Sequence, residues 1–508
     1  MESPPSISIA HIILLVIIAV CIVPRTTAWN PPANRFDYSN ASLDKASKDY
    51  GNIVHLRPHS ILDPKCVSDI QSLIWQKYNH YDTETNKSIA IRACGHSTRG
   101  QSQVLNGIVV NMTAMNNTRW SRINIGKNYK LGYYADVGCE QQWLDVLQAT
   151  LKVNLTPVSW TDYLHESVCG TLSNAGISGQ SFQHGPQISN VYSLYAITGT
   201  GDHKYCEPNW NSDLFYALLG GLGQFGIMTK ARIRLEKAPT RAITTRLLYI
   251  DFSDFSNDQE FLISTNLPNY TEGFIIVNNK IPSGWITSNS SVTISDVDAL
   301  LKNYTVLYAI EFAMYYDDQT VDTVHEEFQM LIGKLKFIPN FIFNSDVSYF
   351  DFLYRVGDLD RPDRGSLQAH PWLVVFIRRS QKDEFNKYVL AGLLPTLGEA
   401  PTIPIYYPLN ATKWSNKTSA VIPDEEIFYT LGLLHRSAPV DYKVFDDFNQ
   451  KLLRVCNENG IEYKKYLAFY DNQSQWIGHF GSKWEAFRQN KMKFDPKLIL
   501  SPSLNIFN

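Results

Sequence analysis

Trp160-Thr161-Asp162-Tyr163-Leu164, followed by Val168-Cys169-Gly170-Thr171-Leu172-Ser173-Asn174-Ala175-Gly176-Ile177-Ser178-Gly179-Gln180, is the stretch around which this chain is organised. Three glycines stand among small residues, behind an aromatic and an acidic residue. Small residues at this density let backbone N–H groups approach a ligand closely, because no Cβ intervenes, and a diphosphate suits such a cradle. A tight turn in a packed core fits the stretch equally well. Gly95-His96-Ser97, after the β-like run Ser88-Ile89-Ala90-Ile91, sets an imidazole between small residues. Taken alone it reads as a loop histidine.

Outward from these stretches, apolar residues repeat at helical spacing at Val67, Ile70, Leu73, Ile74 and Tyr78, with Asp63-Pro64 placed to open that helix. Leu105 to Val110 and Tyr133 to Val137 read as strands, and Trp143, Leu144, Leu147 and Leu151 as one helix face. Val191 to Thr198 is a further strand and Asp213 to Leu219 a short helix. Gly221-Leu222-Gly223-Gln224-Phe225-Gly226 matches the dinucleotide fingerprint in letters only. A helix-like run precedes it and the β-like Ile227 to Leu235 follows, the reverse of the order the fingerprint needs. Beyond Ala238-Pro239 glycine thins out, and strands (Thr244 to Asp251, Gly273 to Asn278, Val306 to Ala313, Trp372 to Ile377, Ile403 to Tyr407) alternate with helices. One helix carries Val321, Val324, Phe328, Leu331, Ile332 and Leu335; another carries Val444, Phe445, Phe448, Leu452, Leu453 and Cys456 and is stopped by Gly460. This half reads as an α+β domain, one sheet covered by helices. The tail, with Ile499, Leu500, Ile506 and Phe507, is expected to dock on an apolar surface.

With 508 residues the chain needs more than one core. Apolar residues at 44% and charged residues at 19% place it among globular proteins, and a net charge of −3 offers no general field for nucleic acid. Ile9 to Val23 has the length of a signal h-region, and Arg25-Thr26-Thr27-Ala28 suits cleavage near Ala28; an uncleaved anchor is the alternative. Secretion is further expected from Asn-x-Ser/Thr triplets at Asn40, Asn86, Asn111, Asn116, Asn154, Asn269, Asn289, Asn303, Asn410, Asn416 and Asn472, with Asn111 set at the end of a strand. Cys66, Cys94, Cys139, Cys169, Cys206 and Cys456 are scattered and propose no disulfide framework, and no CxxC pair suggests a metal site.

Taken together, Gly95-His96-Ser97, Trp160 to Leu164, Gly170 to Gln180, Gly185-Pro186-Gln187-Ile188-Ser189-Asn190-Val191, Gly220 to Gly226, His370-Pro371-Trp372, Tyr407-Pro408-Leu409-Asn410 and Ile506-Phe507-Asn508 resemble the plant cytokinin dehydrogenases. The resemblance covers nearly all of the chain after the leader. It implies an α+β, two-domain FAD-binding flavoprotein of the PCMH type, related to vanillyl-alcohol oxidase, with an α+β substrate-binding cap. It implies a signal peptide over 1–28, an FAD domain over 29–238 and 467–508, and the cap over 239–466. The implied activity is oxidative cleavage of N6-isoprenoid adenines to adenine and an aldehyde, with hydride passing to FAD. A non-enzymatic hormone-binding homologue, or a covalent flavin oxidase for another alcohol or amine, is the alternative.

By the same resemblance His96 carries the flavin covalently. Ala93, Cys94, Gly95, Ser97, Gln101, Asp162, Ser167, Ser173, Ile177, Ile227, Tyr466 and Ser501 line the cofactor. Asp162 takes the proton of the substrate amine, and Glu272 contacts the adenine ring. Trp372, Tyr407 and Leu467 shape the slot. A buried carboxylate suits the base, since burial raises its pKa toward neutrality. No metal is implied. The implied partners are an N6-substituted adenine and a quinone-type acceptor or oxygen, with no nucleic acid, no membrane after signal cleavage and a monomeric state. The implied destination is the secretory pathway: apoplast, vacuole or endoplasmic reticulum. The chain departs from the family at Ala93-Cys94, where the pair Gly-Arg is usual, at Val374 for asparagine, at Leu504 for a polar residue, and at Cys169 for glycine. Cys169 then has two readings: a buried small side chain, or a second link to the flavin.

Overall fold

In the computed structural model of this chain the described residues are 35–79, 88–117, 121–277, 292–357, 368–398 and 404–507. The leader and the triplets at Asn86 and Asn289 lie outside them, as does the cleavage site near Ala28. Among the described residues no helix is long and apolar enough to cross a membrane.

Strands β1 (Phe36–Asp37), β2 (Ser60–Leu62), β3 (Ile89–Arg92) and β4 (Ile108–Asn111) form a small sheet in the order β1-β2-β4-β3, with β4 parallel to β2 and to β3. The helix Val67–Asn79 runs between β2 and β3 and buries Ile70, Leu73 and Ile74, the residues its spacing selects. Asp63-Pro64 does not open it. Asp69, inside the first turn, accepts the backbone N–H groups of Lys65 (2.8 Å) and Cys66 (3.3 Å) and so satisfies the helix start from within. Asn111 ends β4, and its amide donates to Asp63 Oδ1 at 2.7 Å.

A second sheet holds β5 (Ile123–Asn128), β6 (Gly132–Gly138), β7 (Leu155–Pro157), β8 (Val191–Thr198), β9 (His203–Cys206) and β10 (Gly226–Lys237). The long β10 pairs antiparallel with β6, β7 and β8. The helix Ser212–Leu218 precedes the glycines of 221–226 and β10 follows them, so the dinucleotide reading fails on order, as the sequence implies.

Three residues, 238–240, separate β10 from the third sheet. That sheet contains β11 (Arg241–Tyr249), β12 (Tyr270–Val277), β13 (Val306–Tyr316), β14 (Ile342–Ser348), β15 (Leu373–Arg378), β16 (Ile405–Asn410), β17 (Ile427–Leu433) and β18 (Tyr463–Lys465), ordered β14-β11-β13-β12-β16-β17-β15-β18. Helices Phe252–Thr265, Val321–Ile332 and Tyr442–Glu458 bury Phe255, Leu262, Phe328, Leu452 and Cys456 against Ile310, Phe312, Tyr406 and Tyr429. Val444, expected on the apolar face of the last of these, is 63% exposed, and the burial begins at Phe448.

The tail returns to the first sheet. Ile89 N donates to Ile499 O (2.8 Å), and Ser501 N donates to Ile89 O (3.1 Å). Lys491, on the helix Trp484–Phe494, is fully buried with Asp495 at 2.8 Å. Its ammonium also donates to Gln224 O, Gln224 Oε1 and Leu500 O, while the Asp495 carboxylate accepts from Ile499 N and Leu500 N. Every proton and lone pair that matters is used, which is the condition for a buried pair to persist. Replacing Asp495 by alanine strands a buried ammonium and two N–H groups. We expect Asp495→Ala to lower stability by about 3–5 kcal/mol, read as a lower denaturant midpoint; a loss below about 1 kcal/mol would refute this account of the tail.

Candidate active site

The glycine stretch folds as a short helix, Val168–Leu172, and a loop. Gly176 has φ +73°, and a Cβ there would fall 2.0 Å from Gln187 Oε1, so only glycine fits. Its N–H donates to the Tyr466 hydroxyl at 2.9 Å, which ties the loop to the residue following β18. From the tail, Ser501 Oγ donates to Gly223 O at 2.9 Å. These segments enclose a cavity of about 310 Å³, within the size range of ligand sites.

Of the residues singled out from the sequence, Ala93, Cys94, Gly95, His96, Ser97, Gln101, Asp162, Ser167, Ser173, Ile177, Ile227, Trp372, Tyr407, Tyr466, Leu467 and Ser501 line this one cavity. The departures Cys94, Cys169, Val374 and Leu504 line it too. Glu272 does not. It lies on β12, 3% exposed, and hydrogen-bonds the Asp162 side chain, which does line the cavity.

His96 is held by aromatic rings. Tyr50 stacks on it at 4.4 Å and Tyr163 at 4.8 Å; Tyr50 in turn stacks on His370 at 3.8 Å and meets Trp372 edge-on at 5.3 Å. Both imidazole nitrogens are buried and have no hydrogen-bond partner among the described residues. Burial, with His370, His165 and Arg92 adding repulsion, brings its pKa down to about 3. His96 is therefore neutral at physiological pH and keeps an available lone pair. The loop itself is fixed by Asp49, which accepts Ser97 Oγ (2.9 Å) and Gly100 N (2.6 Å).

At Asp162 the charges gather. Arg355 Nη2 lies 3.3 Å from Asp162 Oδ1 and donates to the Tyr270 hydroxyl, which is 3.4 Å from the same oxygen. Burial raises Asp162, while Arg355 opposes the rise. Glu272 is pushed well above the usual carboxylate range by burial and by Asp162. Glu166, four residues on, accepts Thr161 Oγ1 at 3.0 Å and lines the cavity; burial lifts its pKa to about 7.

One expectation is overturned. Cys169 is bonded to Cys139, joining the end of β6 to the glycine-stretch helix. Its sulfur is committed, so it is neither a free buried thiol nor a second link to a flavin. Sequence reasoning also missed Tyr50, Tyr163, Glu166 and Arg355. Glu166 and Tyr163 stand in the quoted stretch and could have been weighed there; Arg355 carries no local signal.

The residues present fit FAD. A glycine cradle, a partnerless buried imidazole and an apolar wall converge on one elongated cavity, and a Cβ at Gly170 or Gly223 would crowd Ser167 Oγ or Ser501 Oγ at 2.7 Å each. Comparison with known proteins agrees. A family model described as cytokinin dehydrogenase 1, FAD and cytokinin binding, matches residues 239–507, and one for an FAD binding domain matches 59–207. The chain is 40% identical to cytokinin dehydrogenase 3 of Arabidopsis thaliana, over 97% of this chain and 96% of that one. It is 41% identical to cytokinin dehydrogenase 4 of Oryza sativa subsp. japonica, over 91% and 88%. Among solved structures it resembles a VAO-type flavoprotein from Myceliophthora thermophila (TM-score 0.65, 16% identity, 88% and 79% covered). It also resembles BBE-like 1 of Physcomitrella patens (TM-score 0.68, 13% identity, 93% and 97% covered). At these identities the structures speak for the fold alone, one shared with VAO-type flavoproteins, while FAD binding rests on the family models.

Glu166 generates a prediction. Its pKa is higher folded (about 7) than unfolded (about 4.5), so the folded state binds more protons between those values and stability falls as pH rises through them. Above pH 7 the full cost applies, on the order of 2 kcal/mol after allowance for the side chain's partial exposure. Glu166→Gln is expected to be more stable than the parent at pH 8 by about that amount and equal to it near pH 4. Thermal unfolding at both pH values checks this; an equal difference at the two would remove Glu166 as the source.

Proposed function

This chain belongs to the cytokinin dehydrogenase family, and on that premise we propose that it cleaves N6-isoprenoid adenines to adenine and an aldehyde. The observation that carries the proposal is the meeting, on one cavity, of a neutral partnerless imidazole at His96 and an arginine-held carboxyl at Asp162. When bound, FAD supplies the two-electron oxidation by accepting hydride from the carbon attached to N6. The remaining work falls to side chains. His96, neutral and without a competing hydrogen bond, is the nucleophile suited to hold the flavin covalently. Asp162 accepts the N6 proton as the carbon loses hydride, leaving an imine that water cleaves. Glu272, hydrogen-bonded to Asp162, acts through it rather than on the ring. Trp372, Tyr407 and Leu467 present apolar surface to the purine and its isoprenoid tail and exclude bulk water. Val374, Leu504 and the Cys94 thiol, which burial keeps protonated, leave the walls less polar than the family pattern.

The finer points belong to the same proposal. Oxygen or a quinone regenerates the flavin. The leader over 1–28 and the exposed Asn-x-Ser/Thr triplets support export and glycosylation in the secretory pathway.

Asp162→Asn is expected to cut kcat by roughly 10²–10⁴-fold with little change in KM, measured with an N6-isoprenoid adenine. Equal, mild effects on both constants would remove Asp162 as the base. His96→Ala should abolish acid-stable flavin. A digest of the parent should give a flavin peptide containing the His96 fragment alone, with Cys139 and Cys169 in a separate disulfide-linked pair.

A further inference from the structure

Behind the cavity wall the large sheet carries more charge than the proposed reaction uses. Glu272 on β12 stands opposite Glu311 on β13, and Glu311 stands opposite Arg246 on β11. Like charges facing across a ladder destabilise it, so each carboxyl needs an account of its own. Glu311 has one: Arg246 Nη2 lies 2.6 Å from its Oε1. That leaves two carboxyls, Asp162 and Glu272, and one guanidinium, Arg355.

Arg355 is clamped. It follows the helix Tyr349–Leu353, and its guanidinium lies 4.6 Å from the Tyr270 ring centre and 4.8 Å from that of Phe352. It donates to Phe352 O at 3.1 Å and to the Tyr270 hydroxyl. Its remaining ionic contact is with Asp162 at 3.3 Å. Two carboxyls held together out of water do not both ionise, and the one beside the cation keeps the charge. Glu272 Oε1 is buried without a hydrogen-bond partner, a position that a neutral carboxyl tolerates far better than a carboxylate.

We propose that Arg355 is a positioning residue for the reaction: it keeps Asp162, and not Glu272, as the ionised member of the pair. Asp162 is thereby ready to take a proton, and Glu272 holds the one that balances the cluster. This rests on the function proposed above. The other groups facing Asp162 are Glu311, already paired, the phenols of Tyr270, Tyr315, Tyr407 and Tyr466, all pushed up and neutral, and Glu166, which titrates near 7.

The test compares Arg355→Gln with Arg355→Lys in the flavin-loaded enzyme, each made in the parent and in the Glu166→Gln background, which removes the other carboxyl that titrates near neutrality. Two pH profiles are read: kcat/KM for an N6-isoprenoid adenine, and calorimetric affinity for an N6-substituted adenine that cannot be oxidised. Without the cation the Asp162 pKa rises, so in Arg355→Gln the acid limb of both profiles should move to higher pH by about one unit or more. Activity at pH 7 should fall more than tenfold and return at alkaline pH. Arg355→Lys keeps the charge and should leave the limb near its parent position. Equal losses at every pH in both variants, or a limb displaced as far by lysine as by glutamine, would make Arg355 merely structural and overturn the proposal. A parent that binds the adenine but oxidises none would instead sink the proposed reaction, while the binding profile would still decide the role of Arg355.

Discussion

A lysine and an aspartate buried together, Lys491 and Asp495, hold the last turns of the chain against elements far from them in sequence. The ammonium reaches the Gln224 carbonyl beside the glycines of 221–226; the carboxylate reaches the backbone of Ile499 and Leu500, which runs along β3. The cavity depends on this pair. Ser501 and Leu504 supply part of its wall, and Ile89, bonded to the tail, begins the strand that delivers Gly95-His96-Ser97. Burying two charges costs several kcal/mol per ion before any attraction is counted. A chain accepts that cost where apolar packing alone would let the segment slide.

The same accounting explains the aromatic sleeve around His96. Tyr50 and Tyr163 both stack on the ring, while His370 and Trp372 pack against Tyr50. Stacking fixes the ring plane without occupying either nitrogen, which hydrogen bonding could not do. The Cys139–Cys169 bond adds a covalent tie between β6 and the helix that carries the glycine stretch. It braces the floor of the cradle covalently.

What could be read from the sequence was what lies contiguous in it. The glycine stretch, His96 and Asp162 are short motifs whose chemistry follows from neighbouring residues. The helices over 67–79, 143–151 and 321–332 show because their apolar spacing runs for several turns. β5 escaped because it has two apolar residues, Ile123 and Ile125, before polar ones intervene. The helix start at Val67 escaped because Asp69 caps it from inside, where Asp63-Pro64 offered the ordinary signal. Tyr50, Cys139 and Arg355 escaped for one reason: each acts on a partner distant in sequence that only the tertiary fold brings near, and no local pattern marks such a partner. Glu272 was read as a group in the site, and only the folded chain shows that it meets the cavity through its hydrogen bond to Asp162.

Burial acts on every ionisable group around this cavity in the same direction, toward the neutral form. What differs is the company each group keeps. His96 is surrounded by rings and by positively charged or neutral neighbours, so nothing repays the cost of a proton and the imidazole stays neutral. Glu166 has a threonine hydroxyl, enough to bring its pKa down only to about 7. Asp162 has a guanidinium at 3.3 Å, which opposes the rise that burial causes without cancelling it. Glu272 has a carboxylate for a neighbour and keeps its proton. One dry environment thus holds a neutral imidazole at one wall and, on the proposal above, an ionised carboxyl at another. The division is made by the Arg355 guanidinium beside Asp162, whereas the Arg92 charge near His96 only adds to the cost of a proton there.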